Sequence, residues 1–183
     1  MIEEFLDDAS QRMDHAVEHV QGEFGTIRTG RANPGILSRV MVDYYGTPTP
    51  LQQLASFSVP DARLLVVSPY DKASIGNIEK AISASGLGLN PSSDGNVLRL
   101  AFPPLTEERR KELIRVVRNM AEEGRVAVRN VRRHTKDNIE ALEGQISEDE
   151  IRRAEKELQE ITDGHTARID ELLEHKEQEL LEV

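Results

Sequence analysis

The most distinctive chemistry in the sequence belongs to cations repeated between residues 109 and 136, a stretch with 10 basic and 3 acidic residues. At helical spacing, one sector of the surface would carry Lys111, Arg115, Arg118, Arg125, Arg129, Arg132 and Lys136, with Arg133 on its flank. We call these eight cations the arginine ladder. Because a planar guanidinium group can donate hydrogen bonds to two phosphate oxygens at once, the pattern favours binding of RNA or another polyanion.

A row of arginines also has simpler explanations. Such a face is often just solvated, or its cations pair with acidic side chains, and residues 137–183 hold 16 acidic and 5 basic residues. Two observations count against pairing: only Glu122 interrupts the sector, and the sector lies nearly opposite the apolar positions of the same helix. We therefore expect neighbouring helices to reach the ladder poorly, although the residues alone leave both interpretations open.

Enzyme and metal chemistry find little support in the sequence. His15 and His19 are four residues apart, a spacing that can bind a metal, but no third ligand is evident and we interpret both as surface residues. There is no Cys, no P-loop and no Gly-x-Ser-x-Gly motif. No carboxylate lies beside a candidate nucleophile. We expect no catalytic residue, no metal and no cofactor; a hydrolase that uses the carboxylates is a remaining alternative.

Two further polar or aromatic features have structural explanations. His165 falls on an apolar helix stripe, which is typical of a hydrogen-bonded core residue or of a polar group that sets helix register. Tyr44 and Tyr45 could stack on nucleic-acid bases. Since adjacent strand residues point to opposite faces, however, one of this pair must face the core.

The prolines separate the helices that carry the ladder from a different kind of segment. All eight lie between Pro34 and Pro104, so that only the flanks can form long helices. The flanks have apolar residues at three- and four-residue spacing, which predicts three helices that pack as an antiparallel bundle. These residues are Ile2, Leu6, Ala9, Met13, Ala16, Val20 and Ile27, with Phe24 one residue out of phase; Leu113, Val117, Met120, Gly124, Ala127 or Val128, Val131, Thr135, Ile139 and Leu142; and Ile151, Ala154, Leu158, Ile161, His165, Ile169, Leu172 and Leu180.

Local signals predict where the helices end. Gly30 is expected to cap the first helix, Thr106 to precede the second, and Gly144 to close it. Ser147 and Glu150 have the spacing of a capping box for the third helix.

The central segment, residues 31–104, predicts a small inserted unit that contains both strands and a helix. Short β-rich stretches occur at Val40–Tyr45, Leu64–Val67 and Val97–Phe102, and residues 71–85 have helical spacing. The fold class is therefore α+β with two domains: residues 1–30 plus 105–183 form the bundle, and 31–104 form the inserted domain. Because the chain crosses between them twice, at Gly30 and at Pro103 and Pro104, we expect a two-stranded hinge.

The overall composition limits the protein's class and location. The net charge of −10 excludes a uniformly basic nucleic-acid binder but not a locally basic one. The longest aliphatic run, Leu64–Val67, is far shorter than a membrane span, and the acidic N-terminus does not resemble a secretory signal. We expect a cytoplasmic monomer.

Five segments, taken together, resemble bacterial ribosome recycling factor. They are residues 27–34 (IRTGRANP), 44–51 (YYGTPTPL), 86–91 (GLGLNP), 103–111 (PPLTEERRK) and 125–133 (RVAVRNVRR). The resemblance extends over essentially the whole chain. Two positions depart from the family pattern: Gly124 stands where Ala is usual, and His134 where Asp is usual. Gly124 is expected to weaken its helix by about 1 kcal/mol relative to Ala.

The resemblance implies both a shape and a function. It implies an L-shape similar to transfer RNA, with a β-sandwich-like inserted domain. It further implies binding to the large ribosomal subunit near the peptidyl-transferase region of its RNA, after termination. Elongation factor G would hydrolyse GTP, the subunits would separate and the messenger RNA would be released. The family's RNA-contacting arginines correspond to Arg28, Arg31, Arg129, Arg132 and Arg133.

The main alternative is a structural helical adaptor whose ladder docks on an acidic protein.

Overall fold

The computed structural model describes residues 1–182 and divides into two compact units. Residues 1–28 and 107–182 form one, which we call the helical unit, and residues 29–106 form the other, the inserted unit. In chain order the elements are α1 (Ile2–Gly25), β1 (Met41–Tyr44), β2 (Thr47–Pro50), α2 (Leu51–Leu54), β3 (Ala55–Asp61), β4 (Leu64–Pro69), α3 (Ile75–Ala84), β5 (Pro91–Ser93), β6 (Leu98–Ala101), α4 (Glu107–Glu140) and α5 (Glu148–Leu181), with short 3-10 helices at Pro34–Leu37 and Lys72–Ser74. The predicted two-domain α+β class is confirmed.

The helical unit is a three-helix bundle. Arg118 of α4 contacts Glu177 of α5, and Lys136 near the other end of α4 contacts Glu155 near the beginning of α5. The two helices therefore run antiparallel. Each helix buries one stripe of side chains, because a single amphipathic helix cannot cover its own apolar face. This arrangement leaves the opposite face of α4 available for charged side chains.

The buried stripes differ from the predicted ones by single residues. Val17 is buried where the spacing favoured Ala16, Ala121 where it favoured Met120, and Thr162 where it favoured Ile161. Such shifts of one position follow from the geometry of a nearly straight helix, whose 3.6-residue turn drifts against any fixed pattern of threes and fours.

Two of the predicted helix ends are in a different place. α1 ends at Gly25, with Thr26 as its C-cap, and not at Gly30. Gly30 does have a positive φ of 76°, the left-handed conformation that favours glycine, but it lies in the segment after the helix. Likewise α4 ends at Glu140, four residues before Gly144.

The start of α5 matches its prediction. The Ser147 Oγ accepts a hydrogen bond from the Glu150 backbone N–H at 3.3 Å, and the Glu150 carboxylate accepts one from the Ser147 N–H at 3.0 Å. This reciprocal capping box satisfies two backbone donors that the first helical turn leaves without partners.

The inserted unit has its own apolar core. A four-stranded antiparallel sheet has the order β3-β4-β6-β5, and β1 pairs with β2 in a separate two-stranded sheet. Leu98 and Leu100 alternate with exposed residues along β6, so one face of this strand is buried. That face shares a core with Ile78 and Ile82 of α3. The helix in residues 71–85 is as predicted, and β5 pairs with β6 in a hairpin around Asp94-Gly95.

The turn between β1 and β2 was not predicted. Tyr45 and Gly46 have φ angles of 49° and 84°, and the flanking residues Tyr44 and Thr47 pair across the hairpin. Two successive positive φ values are typical of a type I′ turn. Tyr45 is therefore a turn residue with an exposed ring, while Tyr44 ends the strand and is half-buried.

Candidate nucleic-acid interface

The arginine ladder follows the solvent side of α4. The opposite side of this helix is buried through Leu113, Val117, Val128, Val131 and Ile139, among others. Because side chains three, four and seven residues apart share a helix face, these buried positions fix the direction in which the cations point. The ladder cations thus share one face of α4 because of the helix periodicity, as expected from the sequence.

The expectation that neighbouring helices reach the ladder poorly is wrong. Arg125 donates two hydrogen bonds to the Asp170 carboxylate on α5, at 2.8 and 2.6 Å, and Arg118 bonds to Glu177 on the same helix. Lys136 lies 3.5 Å from Glu155. Long arginine and lysine side chains bend around the helix surface and bring their charge to the acidic neighbour.

Glu122 also neutralises part of the ladder. Its carboxylate accepts hydrogen bonds from Arg129 at 2.6 Å and from Arg125 at 3.2 Å. These bonds, with Arg129 contributing most, hold the pKa of the Glu122 carboxyl below its ordinary value. The group is therefore ionised at neutral pH and offsets one of the two cations.

Arg132 and Arg133 differ from the cations before them. The Arg132 guanidinium reaches only the neutral amide oxygen of Gln159, at 3.4 Å. Arg133 is exposed and has no hydrogen bond or ion pair within the part of the chain that the structure describes. Arg115 likewise has no carboxylate partner among residues 1–182. Uncompensated charge in the described part of the ladder is thus concentrated at Arg132 and Arg133, with Arg115 as a separate point nearer the start of α4.

The remaining predicted RNA contacts lie outside α4. Arg28 is the last residue of the first segment of the helical unit, whereas Arg31 belongs to the inserted unit. Both are exposed, and both make interactions within the protein. Helix periodicity therefore relates Arg129, Arg132 and Arg133 to one another but says nothing about these two.

The predicted hinge residues lie in segments without regular secondary structure. Pro103 and Pro104 are exposed and follow β6. On the inserted unit both crossing segments are held at one turn: the Ala32 N–H donates to the Ala62 carbonyl, and the Phe102 N–H donates to the Arg63 carbonyl, each at 2.8 Å. Gly30, Pro103 and Pro104 lie just beyond these two hydrogen bonds.

The histidines agree with their sequence interpretation. His15 and His19 are exposed and lie 3.4 Å from Glu18 and Glu23 respectively. His165 is buried on the stripe of α5 and hydrogen-bonded through both ring nitrogens. Within residues 1–182 no three His, Asp or Glu side chains are grouped as metal ligands, and none of the helices there is long and apolar enough to span a membrane.

Sequence reasoning missed the tyrosine cluster of the inserted unit. The hydroxyl groups of Tyr44 and Tyr45 both donate to Asp71 Oδ2, at 3.3 and 3.0 Å, and the two rings meet edge to face with centroids 4.6 Å apart. These bonds, after one from the Ala73 backbone, lower the pKa of Asp71. Asp71 is the N-cap of the short helix Lys72–Ser74 and accepts a hydrogen bond from the Ala73 N–H, and this capping position is the only signal that could have marked it.

Comparisons with known proteins all point to one family. The family model described as ribosome recycling factor matches residues 20–181. The ribosome-recycling factors of Acidothermus cellulolyticus and Renibacterium salmoninarum are 57% and 54% identical to this chain, and each alignment covers all of both proteins.

Solved structures agree as well. A solution structure of the ribosome recycling factor is 44% identical, with a TM-score of 0.77, and the match covers 100% of this chain and 98% of the other. A second match is 48% identical, with a TM-score of 0.65 and 99% of each chain covered. It comes from models for the T. thermophilus ribosome recycling factor and the E. coli elongation factor G bound to the E. coli post-termination complex. With its bundle, its inserted sheet and its full-length relatives, this chain belongs to the ribosome recycling factor family.

Proposed function

We propose that this protein binds the post-termination ribosome and, with elongation factor G and GTP, separates the subunits and releases ribosomes from messenger RNA. The observation that carries the proposal is membership of the ribosome recycling factor family across residues 20–181. The complex of a 48% identical factor with elongation factor G on a post-termination ribosome supports these two partners. We further propose that the protein acts in the cytoplasm as a monomer and that elongation factor G alone supplies the GTPase activity.

Ribosomal RNA near the peptidyl-transferase region is the proposed ligand of Arg28, Arg31, Arg129, Arg132 and Arg133. The strongest support comes from Arg132 and Arg133, whose charge no carboxylate of residues 1–182 offsets. Cations that are already paired must exchange one partner for another when RNA binds, so that unpaired ones contribute more to affinity. Arg129 shares Glu122 with Arg125 and is accordingly proposed as a weaker contact.

Motion at Gly30, Pro103 and Pro104 is the proposed link between binding and subunit separation. The positive φ of Gly30 restricts this position to glycine-like conformations, and each proline fixes its own φ. Both crossing segments are hydrogen-bonded to the same turn of the inserted unit. Rotation about the two short segments would therefore leave the inserted unit intact.

The decisive experiment combines binding with subunit separation. Purified protein should co-sediment with large ribosomal subunits, and post-termination complexes should split only when the protein, elongation factor G and GTP are all present. Sedimentation equilibrium on the protein alone should give a monomer mass. Failure to co-sediment, with a correctly folded protein, would overturn the proposal in favour of an adaptor that binds an acidic protein.

A further inference from the structure

A groove between α4 and α5 carries cations from both helices. It encloses about 290 Å³ near the end of α4 and the beginning of α5. Arg132 and Lys136 of α4 line one side, and Arg152 and Lys156 of α5 line the other. Glu155 is the only carboxylate in the lining. We call this feature the basic groove.

The two α5 cations are unusual for their helix. α5 has 12 acidic and 5 basic residues, and three of those five, Arg152, Arg153 and Lys156, fall within a span of five residues. Farther along α5, Glu177 and Asp170 neutralise ladder cations of α4. In the lining of the basic groove α5 contributes two cations and one carboxylate, so that the cations of α4 there face cations as well as Glu155. Within the described residues these two α5 cations form ion pairs only with carboxylates of their own helix, so no contact with α4 accounts for their place in the groove.

The groove cations are only loosely paired within the protein. Arg152 lies 3.6 Å from Glu148 and Lys156 lies 3.9 Å from Glu160, and all four side chains are exposed. Arg132 meets a neutral amide. Lys136 alone has two carboxylates within 3.5 Å, Glu140 and Glu155. Exposed ion pairs at such distances contribute little, so an incoming anion can replace them.

We propose that the basic groove binds a backbone phosphate of RNA, and that Arg152 and Lys156 extend the RNA-binding surface from α4 onto α5. This inference rests on the proposed function, which supplies the RNA. The lining contains arginine, lysine, glutamate, glutamine and leucine but no aromatic side chain on which a base could stack. Four cations against one carboxylate favour phosphate, the charged group of RNA, so the contact adds affinity without sequence preference.

A matched pair of variants on one helix tests this assignment. Arg152→Ala removes a groove cation, whereas Arg153→Ala removes an identical charge one residue away, at an exposed position outside the groove. With isolated large ribosomal subunits, Arg152→Ala should raise the Kd about three- to tenfold and reduce the slope of log affinity against log salt by about one. Arg153→Ala should change both by much less. The double variant Arg152→Ala/Lys156→Ala should weaken binding further but reduce the slope by no more than about one in total, because the groove holds a single phosphate.

A variant with the opposite expected effect guards against loss of structure. Glu155→Gln removes the one carboxylate of the groove and one of the two partners of Lys136. It should tighten binding to large subunits and steepen the salt dependence, which a destabilised protein would not do. Melting temperatures measured on all variants exclude unfolding as the cause.

Three outcomes overturn the inference. Equal losses for Arg152→Ala and Arg153→Ala would mean that only net charge matters. Wild-type affinity in Arg152→Ala and in the double variant, with weakened binding in Arg132→Ala, would remove the α5 contact and leave the proposed function standing. If wild-type protein itself fails to bind large subunits, the proposed function fails and this inference fails with it.

Discussion

Arg132 and Arg125 lie two helical turns apart on α4, but their partners give them different roles. Arg125 is only 21% exposed and is held by two carboxylates, Asp170 and Glu122. Arg132 has a neutral partner, and no carboxylate among residues 1–182 pairs with its guanidinium group. The same residue type on the same face therefore contributes to the bundle at one position and is available to a ligand at the other.

This difference predicts opposite phenotypes for the two alanine variants. Arg132→Ala should weaken binding to large ribosomal subunits by about 1–3 kcal/mol and leave the melting temperature near that of the wild type. Arg125→Ala should lower the melting temperature by about 2–4 °C, because Asp170 loses its partner and Glu122 loses one of its two, and should affect binding less. Titrations and thermal melts on both proteins provide the measurement. An Arg132→Ala protein that melts early and binds normally would show that Arg132 is structural.

Gly124 shows how packing reverses a helix propensity. Compared with Ala, glycine weakens a helix by about 1 kcal/mol, so the sequence alone favours Gly124→Ala. In the bundle, however, a Cβ at this position would lie 2.3 Å from Val20 Cγ2 and 3.3 Å from Ile169 Cδ1. Val20 is buried and β-branched, and its rotamer cannot change freely. Crowding of this kind costs about 1–3 kcal/mol, which exceeds the gain in propensity.

A double-mutant cycle can separate these two contributions. Gly124→Ala should lower the melting temperature of the otherwise wild-type protein. In a Val20→Ala background, where the contact with Val20 Cγ2 is absent, the same change should raise the melting temperature, because the gain in propensity then outweighs the remaining contact with the flexible end of Ile169. If Gly124→Ala stabilises both backgrounds equally, the close contact with Val20 has no energetic consequence.

Between elements, a polar contact joins α1 to α5. His165 Nε2 lies 2.9 Å from Asp14 Oδ1, and its Nδ1 lies 2.7 Å from the Ile161 carbonyl oxygen. Both neighbours present oxygen acceptors to the ring. Arg168 donates to the same Asp14 oxygen. Hydrogen bonds from Arg168 first, and then from His165, lower the pKa of the Asp14 carboxyl.

The lowered pKa sets the pH range in which Asp14 stabilises the bundle. A carboxylate whose folded-state pKa is depressed contributes stability above its ordinary value of 3.8, and loses that contribution as the pH falls through the folded-state value. Asp14→Asn should therefore lower the melting temperature at about pH 5, and the gap to wild type should narrow towards about pH 3. Asp7→Asn, an exposed position on the same helix, is the control. A gap that stays constant down to about pH 3 would contradict the assignment.

The sequence predicted the helices better than it predicted the side-chain contacts between them. The three helices were predictable because residues such as Leu113, Val117 and Val128 repeat at helical spacing, and Ser147 with Glu150 has a local capping pattern. The end of α1 was not predictable, since its C-cap is Thr26 in an ordinary right-handed conformation and not a glycine in the left-handed one. The carboxylates that contact Arg118 and Arg125 were not predictable either, because those contacts depend on how α5 is rotated about its axis relative to α4.

For the whole molecule, the hinge proposed at Gly30, Pro103 and Pro104 can be tested by substitution. Replacing Pro103 and Pro104 with Gly should leave ribosome binding largely intact and impair subunit separation, because glycine removes the fixed φ angles of the exit segment. The same change at exposed Pro48, in β2, controls for the general effect of proline loss. Binding and splitting assays on one preparation make the comparison. Wild-type splitting by the double variant would contradict the hinge assignment.

The discontinuous helical unit also constrains how the chain can be made. During synthesis α1 is complete before any of α4 or α5 exists, so the stripe that includes Leu6, Met13 and Phe24 has nothing to pack against. At 5–20 residues per second, α5 is complete only about 8–30 s after α1. The inserted unit is one continuous segment and can fold within that interval. Nascent chains stalled with residues 1–110 outside the ribosome should therefore resist protease within residues 29–106 and remain sensitive within α1. In this protein the first helix to be synthesised can pack only after the last two helices have emerged.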